Sequence, residues 1–126
     1  MADLRTPLAR ARGIGSGKTG TGHFWDQRVT AIALAILVPW LIGVLVSMAG
    51  ADAEGARAIL ARPWNAILLA AFAIATFWHA KLGVQVVIED YVHGKVAKNT
   101  LLLLFTFVHV VAAVAAIFAV LLLALS

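Results

Sequence analysis

Apolar residues gather in three long runs, and the charged positions fall almost entirely outside them. The first run, residues 30–49, holds no charged side chain and as a helix would measure ~30 Å, the thickness of a bilayer's hydrocarbon core. The second, 64–88, is long enough to span but carries His79 and Lys81 in its later half. The third, 101–125, is apolar almost throughout, with Thr106 and His109 as its exceptions. A chain crossing lipid must satisfy its own backbone, which a helix does within each span. The pattern therefore predicts an all-α membrane protein with three transmembrane helices. A basic juxtamembrane segment, residues 1–29, precedes a three-helix transmembrane domain, residues 30–126. Pro39 lies inside the first run, where neighbouring groups can take up the carbonyl it frees, so a kink is expected and not a break.

The polar segments set the orientation. Residues 1–29 carry Arg5, Arg10, Arg12, Lys18 and Arg28 against Asp3 and Asp26. No apolar stretch of the secretory kind follows the first residues. An Arg-rich, acid-poor start also resembles a mitochondrial transit peptide, but Gly13, Gly15, Gly17, Gly20 and Gly22 weaken the amphipathic helix such a peptide forms. A segment beside a bacterial inner membrane is the preferred reading, with the mitochondrial inner membrane less favoured. The loop at 50–63 balances Arg57 and Arg62 against Asp52 and Glu54, whereas residues 89–100 add His93, Lys95 and Lys98. Lys and Arg near membrane ends govern topology and acids count for little. The N-terminus and residues 89–100 are thus expected in the cytoplasm, with the first loop and the C-terminus outside. Lys81 is close enough to the cytoplasmic end to snorkel there.

Composition narrows the function classes. Of 126 residues, 63% are apolar and 13% charged, and the mean hydropathy is +0.97. Soluble domains run at roughly 45–50% apolar and about 25% charged. A typical soluble enzyme, a nucleic-acid-binding module and a disordered tail are excluded. With no cysteine, the chain offers no disulfide, thiolate nucleophile or iron–sulfur ligand. The net charge of +4 reads as the basic excess of a cytoplasmic membrane face, not as a nucleic-acid surface. Alanines recur at four-residue spacing as Ala66/Ala70, Ala71/Ala75, Ala112/Ala116 and Ala115/Ala119. Such stripes let membrane helices approach closely, although alanine is common throughout this chain.

Few residues are placed to do chemistry. Gly13-Ile14-Gly15-Ser16-Gly17-Lys18-Thr19 imitates a phosphate-binding loop, but Arg12 stands where the motif needs glycine and no strand precedes it. His79 is ionisable and lies ~15 Å from the cytoplasmic end of its helix, a depth at which polar groups are costly. A neutral imidazole is a good haem-iron ligand, and Gly83, one turn on, would let a flat macrocycle approach the backbone. A hydrogen bond to a neighbouring helix is the other use of such a ring. His109 sits at nearly the same depth, and a single interhelical hydrogen bond is its preferred role over that of a second axial ligand. Glu89-Asp90-Tyr91 ends the second helix: an interfacial phenol can donate to a quinone carbonyl and a carboxylate can relay protons, or the tyrosine is an ordinary interfacial anchor. Arg28 suits a haem propionate or, with Phe24 and Trp25, anchors the first helix at the lipid surface.

The run His79-Ala80-Lys81-Leu82-Gly83-Val84-Gln85-Val86-Val87-Ile88-Glu89-Asp90-Tyr91-Val92 resembles the second helix of the hydrophobic membrane anchor of bacterial succinate dehydrogenase. The family has a histidine, a small residue four later, a glutamine, and Asp-Tyr eleven and twelve residues beyond the histidine. His23 to Ala33 is similar to the family's approach to its first helix, and the resemblance covers residues 21–126. It implies a component of succinate:quinone oxidoreductase, respiratory complex II of the tricarboxylic acid cycle, without a dehydrogenase active site of its own. It implies His79 as one axial ligand of haem b, the other coming from a sister three-helix anchor of cytochrome b type. It further implies Tyr91 and Asp90 beside the ubiquinone headgroup, Arg28 near the haem propionates, and a flavoprotein and an iron–sulfur subunit as partners. The family does not require His109, which keeps a structural role.

Two other readings compete: a haem-free anchor or assembly protein, and the anchor of a related fumarate reductase. A small multidrug transporter fits less well, because it would want a fourth helix and an intramembrane carboxylate.

Overall fold

The computed structural model describes Leu8 and residues 20–125. The phosphate-loop imitation at 13–19 and most of the basic N-terminal segment lie outside the described residues. The described chain is helical and holds no strand. Its helices are α1 (Gly20–Met48), α2 (Ala53–Leu60), α3 (Pro63–Tyr91) and α4 (Lys95–Leu125). Three of them, α1, α3 and α4, are long and apolar enough to cross a membrane.

Each long helix outruns its apolar run at the end nearest the N-terminal segment. α1 begins at Gly20, and α3 continues to Tyr91 before a connection of residues 92–94 leads into α4 at Lys95. An apolar run measures the lipid, whereas helical hydrogen bonding continues past the interface until a breaker stops it. At the other end α1 passes unbroken through Pro39. It stops at Gly50, whose φ of +86° is the left-handed conformation that favours glycine at a helix end. Pro63 then starts α3 at a position where its missing N–H costs nothing.

The loop at 50–63 contains a helix that its polar character concealed. Asp52 caps α2 by accepting from the Gly55 N–H at 2.8 Å, a type of bond that stabilises a helix start by about 1 kcal/mol. The Asn65 amide donates to the Ile59 carbonyl at 2.7 Å and ties α2 to the first turn of α3.

The long helices run up, down and up, with α3 in the middle: among the described residues it packs on both α1 and α4, which do not pack on each other. This layer has little interior. Among the described residues the buried apolar side chains are Val44, Ala73, Ala75, Leu82 and Ile88, and all but Val44 belong to α3, the helix covered from two sides. Of the alanine stripes, Ala75 is buried, Ala112 and Ala116 are half-buried, and Ala115 and Ala119 are exposed. The surface presents large apolar side chains, including Ile32, Ile36, Leu103, Phe107 and Val114. Exposed apolar area on this scale belongs against lipid or other subunits.

Candidate functional site

On α1, the half-buried His23, Gln27, Thr30, Leu34, Leu37 and Leu41 and the buried Val44 form one stripe. The spacing of three and four residues sets them on one side of the helix, and α3 is the long helix that α1 packs against. Leu34, Leu37, Leu41 and Val44 are apolar, whereas His23, Gln27 and Thr30 are polar, so a seam of polar side chains enters the membrane layer between α1 and α3.

At the inner end of that seam, the Thr30 Oγ1 and His79 Nδ1 atoms lie 2.9 Å apart. The Thr30 hydroxyl is also 2.7 Å from the Asp26 carbonyl and 3.1 Å from the Gln27 carbonyl. A hydroxyl has one proton and two lone pairs. Given to a carbonyl of its own helix, that proton leaves the lone pairs to accept from His79, and Nδ1 then carries the imidazole's hydrogen. Nε2 is then left with its lone pair. A neutral imidazole fixed in this tautomer is the form that binds a metal.

Three polar atoms are buried without a partner among the described residues: His23 Nε2, Gln27 Oε1 and Thr76 Oγ1. The first two share the stripe of Thr30, and Thr76 is one turn from His79 on α3. Most buried polar atoms in folded proteins are paired, and each left unpaired costs roughly 1–3 kcal/mol. At Gly83, one turn beyond His79, an added Cβ would meet nothing within 4 Å. The helix surface beside the imidazole is therefore open.

Asp90 and Tyr91 end α3, ~16 Å along the helix from His79. Both are exposed, Tyr91 by 78%. Arg28 lies two residues before Thr30 and about half a turn round α1, so it sits off the seam. Its guanidinium stacks 4.3 Å over the Phe24 ring, and Phe24 packs edge-on against Trp25 at 6.2 Å.

His79 and His109 are not brought together. Lys81 and Trp78 share a groove of about 200 Å³ with Thr106 and His109 between α3 and α4, on the side of α3 away from Thr30. The His109 ring donates from Nδ1 to the Phe105 carbonyl of its own helix at 2.6 Å, so the expected interhelical bond is replaced by one within α4. The carbonyl one turn back is simply the nearest acceptor. The Lys81 amine lies 5.8 Å from the centre of the Trp78 ring, the aromatic one turn earlier. No group of three or more His, Cys, Asp or Glu side chains suited to a metal ion occurs among the described residues.

Thr30, Gln27 and Thr76 carry no assignment from the sequence alone. The spacing of His23, Gln27 and Thr30 at the mouth of an apolar helix is the signal that marks the α1 side of the seam.

Residues 2–123 match the family described as succinate dehydrogenase/fumarate reductase transmembrane subunit. A succinate dehydrogenase hydrophobic membrane anchor subunit of Rickettsia bellii is 37% identical over 119 residues, which is 92% of this chain and 95% of that one. The protein of the same name from Paracoccus denitrificans is 34% identical over 97 residues, covering 77% of this chain and 75% of its own. A succinate dehydrogenase membrane anchor subunit of Reclinomonas americana is 33% identical over 81 residues, 62% of this chain and 68% of that one. No solved structure matches.

Proposed function

The chain belongs to the family of succinate dehydrogenase and fumarate reductase transmembrane subunits, and from that premise we propose that it is the membrane anchor of a bacterial succinate:ubiquinone oxidoreductase. It contributes one haem ligand and part of the quinone site, and holds a flavoprotein and an iron–sulfur subunit at the inner membrane. The N-terminus and the rim formed by the end of α3 and the start of α4 face the cytoplasm, in keeping with the basic residues Lys95 and Lys98 beside that rim.

The observation that carries the haem assignment is the state of His79. Its Nδ1 is held by Thr30 at 2.9 Å, which leaves the lone pair on Nε2, and the backbone beside it at Gly83 is open. These residues fit a b-type haem, whose iron His79 Nε2 would ligate. A second ligand would come from the sister cytochrome b-type anchor. The unpaired atoms of His23, Gln27 and Thr76 agree with a seam completed by groups outside this chain. Arg28, released from Phe24, reaches a propionate. When bound, the haem supplies a one-electron redox centre within the membrane layer.

At the rim, reduction of a quinone to a quinol takes two electrons, supplied through the iron–sulfur partner, and two protons from water. The Tyr91 phenol donates a hydrogen bond to a quinone carbonyl oxygen and stabilises the negative charge that grows there. The exposed Asp90 carboxylate exchanges protons with water and passes them towards the same oxygen. Because Tyr91 is 78% exposed, the pocket walls must come from partner subunits.

Purification in mild detergent through a tag on this chain tests the proposal. Flavin, non-haem iron and a b-type reduced spectrum should co-purify. A complex with flavin and iron but no b-type absorbance would instead establish a haem-free anchor. A complex that turns over only with a low-potential menaquinone would establish a fumarate reductase anchor.

A further inference from the structure

Resting on the reading of His79 as a haem ligand, we propose that Thr30 is the positioning residue that fixes the tautomer and ring orientation of His79 and raises its basicity towards iron. Three distances carry the inference. The Thr30 hydroxyl lies 2.7 Å from the Asp26 carbonyl and 3.1 Å from the Gln27 carbonyl, and its oxygen lies 2.9 Å from His79 Nδ1. The backbone of α1 takes the hydroxyl proton and so turns the oxygen's lone pairs towards α3. The oxygen can then only accept from the ring, which keeps the hydrogen on Nδ1 and the lone pair on Nε2.

The arrangement is that of a metal-bound histidine whose second nitrogen donates to an outer acceptor. Its acceptor is unusual in being a hydroxyl already polarised by a helix carbonyl, with the helix dipole's carbonyl chain behind it. Donation from Nδ1–H increases electron density on the ring, strengthens the bond from Nε2, and favours the oxidised metal. Outer partners of this kind change metal affinity by roughly 10–100-fold when removed. The bond also crosses between α1 and α3, so it links the packing of the two helices to the orientation of the ligand.

The test uses the complete complex with Thr30→Val, which keeps the side-chain shape, and Thr30→Ser, which keeps the hydroxyl. Redox titration of the haem and the electron paramagnetic resonance of its oxidised form are read alongside haem content. In Thr30→Val the midpoint potential should rise, the resonance should shift, and haem should wash out about tenfold more readily; Thr30→Ser should restore all three. If Val and Ser behave like the parent, or are shifted alike, the proposal is overturned. If Thr30→Val does not assemble, infrared redox difference spectra of the native complex with isotopically labelled histidine decide the matter. A hydrogen-bonded Nδ1–H is expected on the axial ligand, and a free one overturns the proposal. His79→Ala serves as the separate control. Loss of haem there, with unaltered Thr30→Val spectra, leaves the ligand reading standing and removes only Thr30's part; haem retained unchanged in His79→Ala removes both.

Discussion

Lys98, on the first turn of α4, donates from Nζ to the main-chain carbonyl of Glu89 at 2.8 Å. Glu89 belongs to the last turn of α3, where carbonyls have lost their partners in the following turn, and a cation there also opposes the helix dipole. The Glu89 side chain is itself held, accepting from the Gln85 amide at 2.8 Å. The two residues that follow are Asp90 and Tyr91. The cap therefore steadies the segment that carries the proposed quinone contacts and fastens it to α4.

Lys98→Met should loosen that end by about 1 kcal/mol, with little effect elsewhere. Hydrogen exchange should quicken at the amides of residues 89–92, and the apparent KM for quinone should rise while the haem spectrum stays the same. Unchanged exchange would mean that the Val92 N–H bond to the Ile88 carbonyl holds the end without help.

Tyr91→Phe removes one hydroxyl from an exposed ring and should leave assembly intact. A hydrogen bond to a developing oxyanion commonly contributes about 10²–10³ in rate, so quinone reduction should fall steeply. Succinate oxidation with an artificial acceptor that takes electrons from the soluble subunits should not change. Equal loss in both assays would place the defect in assembly and not at the quinone.

Gly83→Leu separates the packing of this chain from the packing of its cofactor. A new Cβ meets nothing within 4 Å, and leucine is the better helix former by ~1 kcal/mol. The chain should therefore insert and assemble normally, whereas a macrocycle lying flat beside His79 would be displaced. The measurement is the haem-to-flavin ratio of the purified complex, expected to fall well below that of the parent. A full complement of haem would show that the macrocycle does not approach this stretch of backbone.

The parts of the fold written in one-dimensional pattern are legible from the residues. Three apolar runs announce three long helices, and an imidazole in the middle of one stands out because polar groups are expensive there. The register between helices is not written that way. Nothing in the order of residues states that Thr30 meets His79, since threonine is common in spanning helices and bonds back to its own chain. Only the packing of α1 on α3 makes it a partner. The same limit applies to His109, for which the sequence suggests a bond across helices. A carbonyl one turn back is always within reach of a histidine, and interhelical partners depend on rotations that periodicity leaves free. The helix at Ala53–Leu60 is hidden for a different reason. Its charged residues read as a loop, and the Asp52 cap that starts it looks like any loop aspartate until Gly55 is seen at its side.

The central claim concerns the His79 nitrogen that does not face Thr30. Its most direct test is the dithionite-reduced minus oxidised spectrum of the purified complex carrying His79→Ala, compared with the parent and with His109→Ala. The account predicts that the b-type bands are lost or strongly altered in the first variant and retained in the second. A His79→Ala complex with the parent's spectrum and full haem content would contradict it.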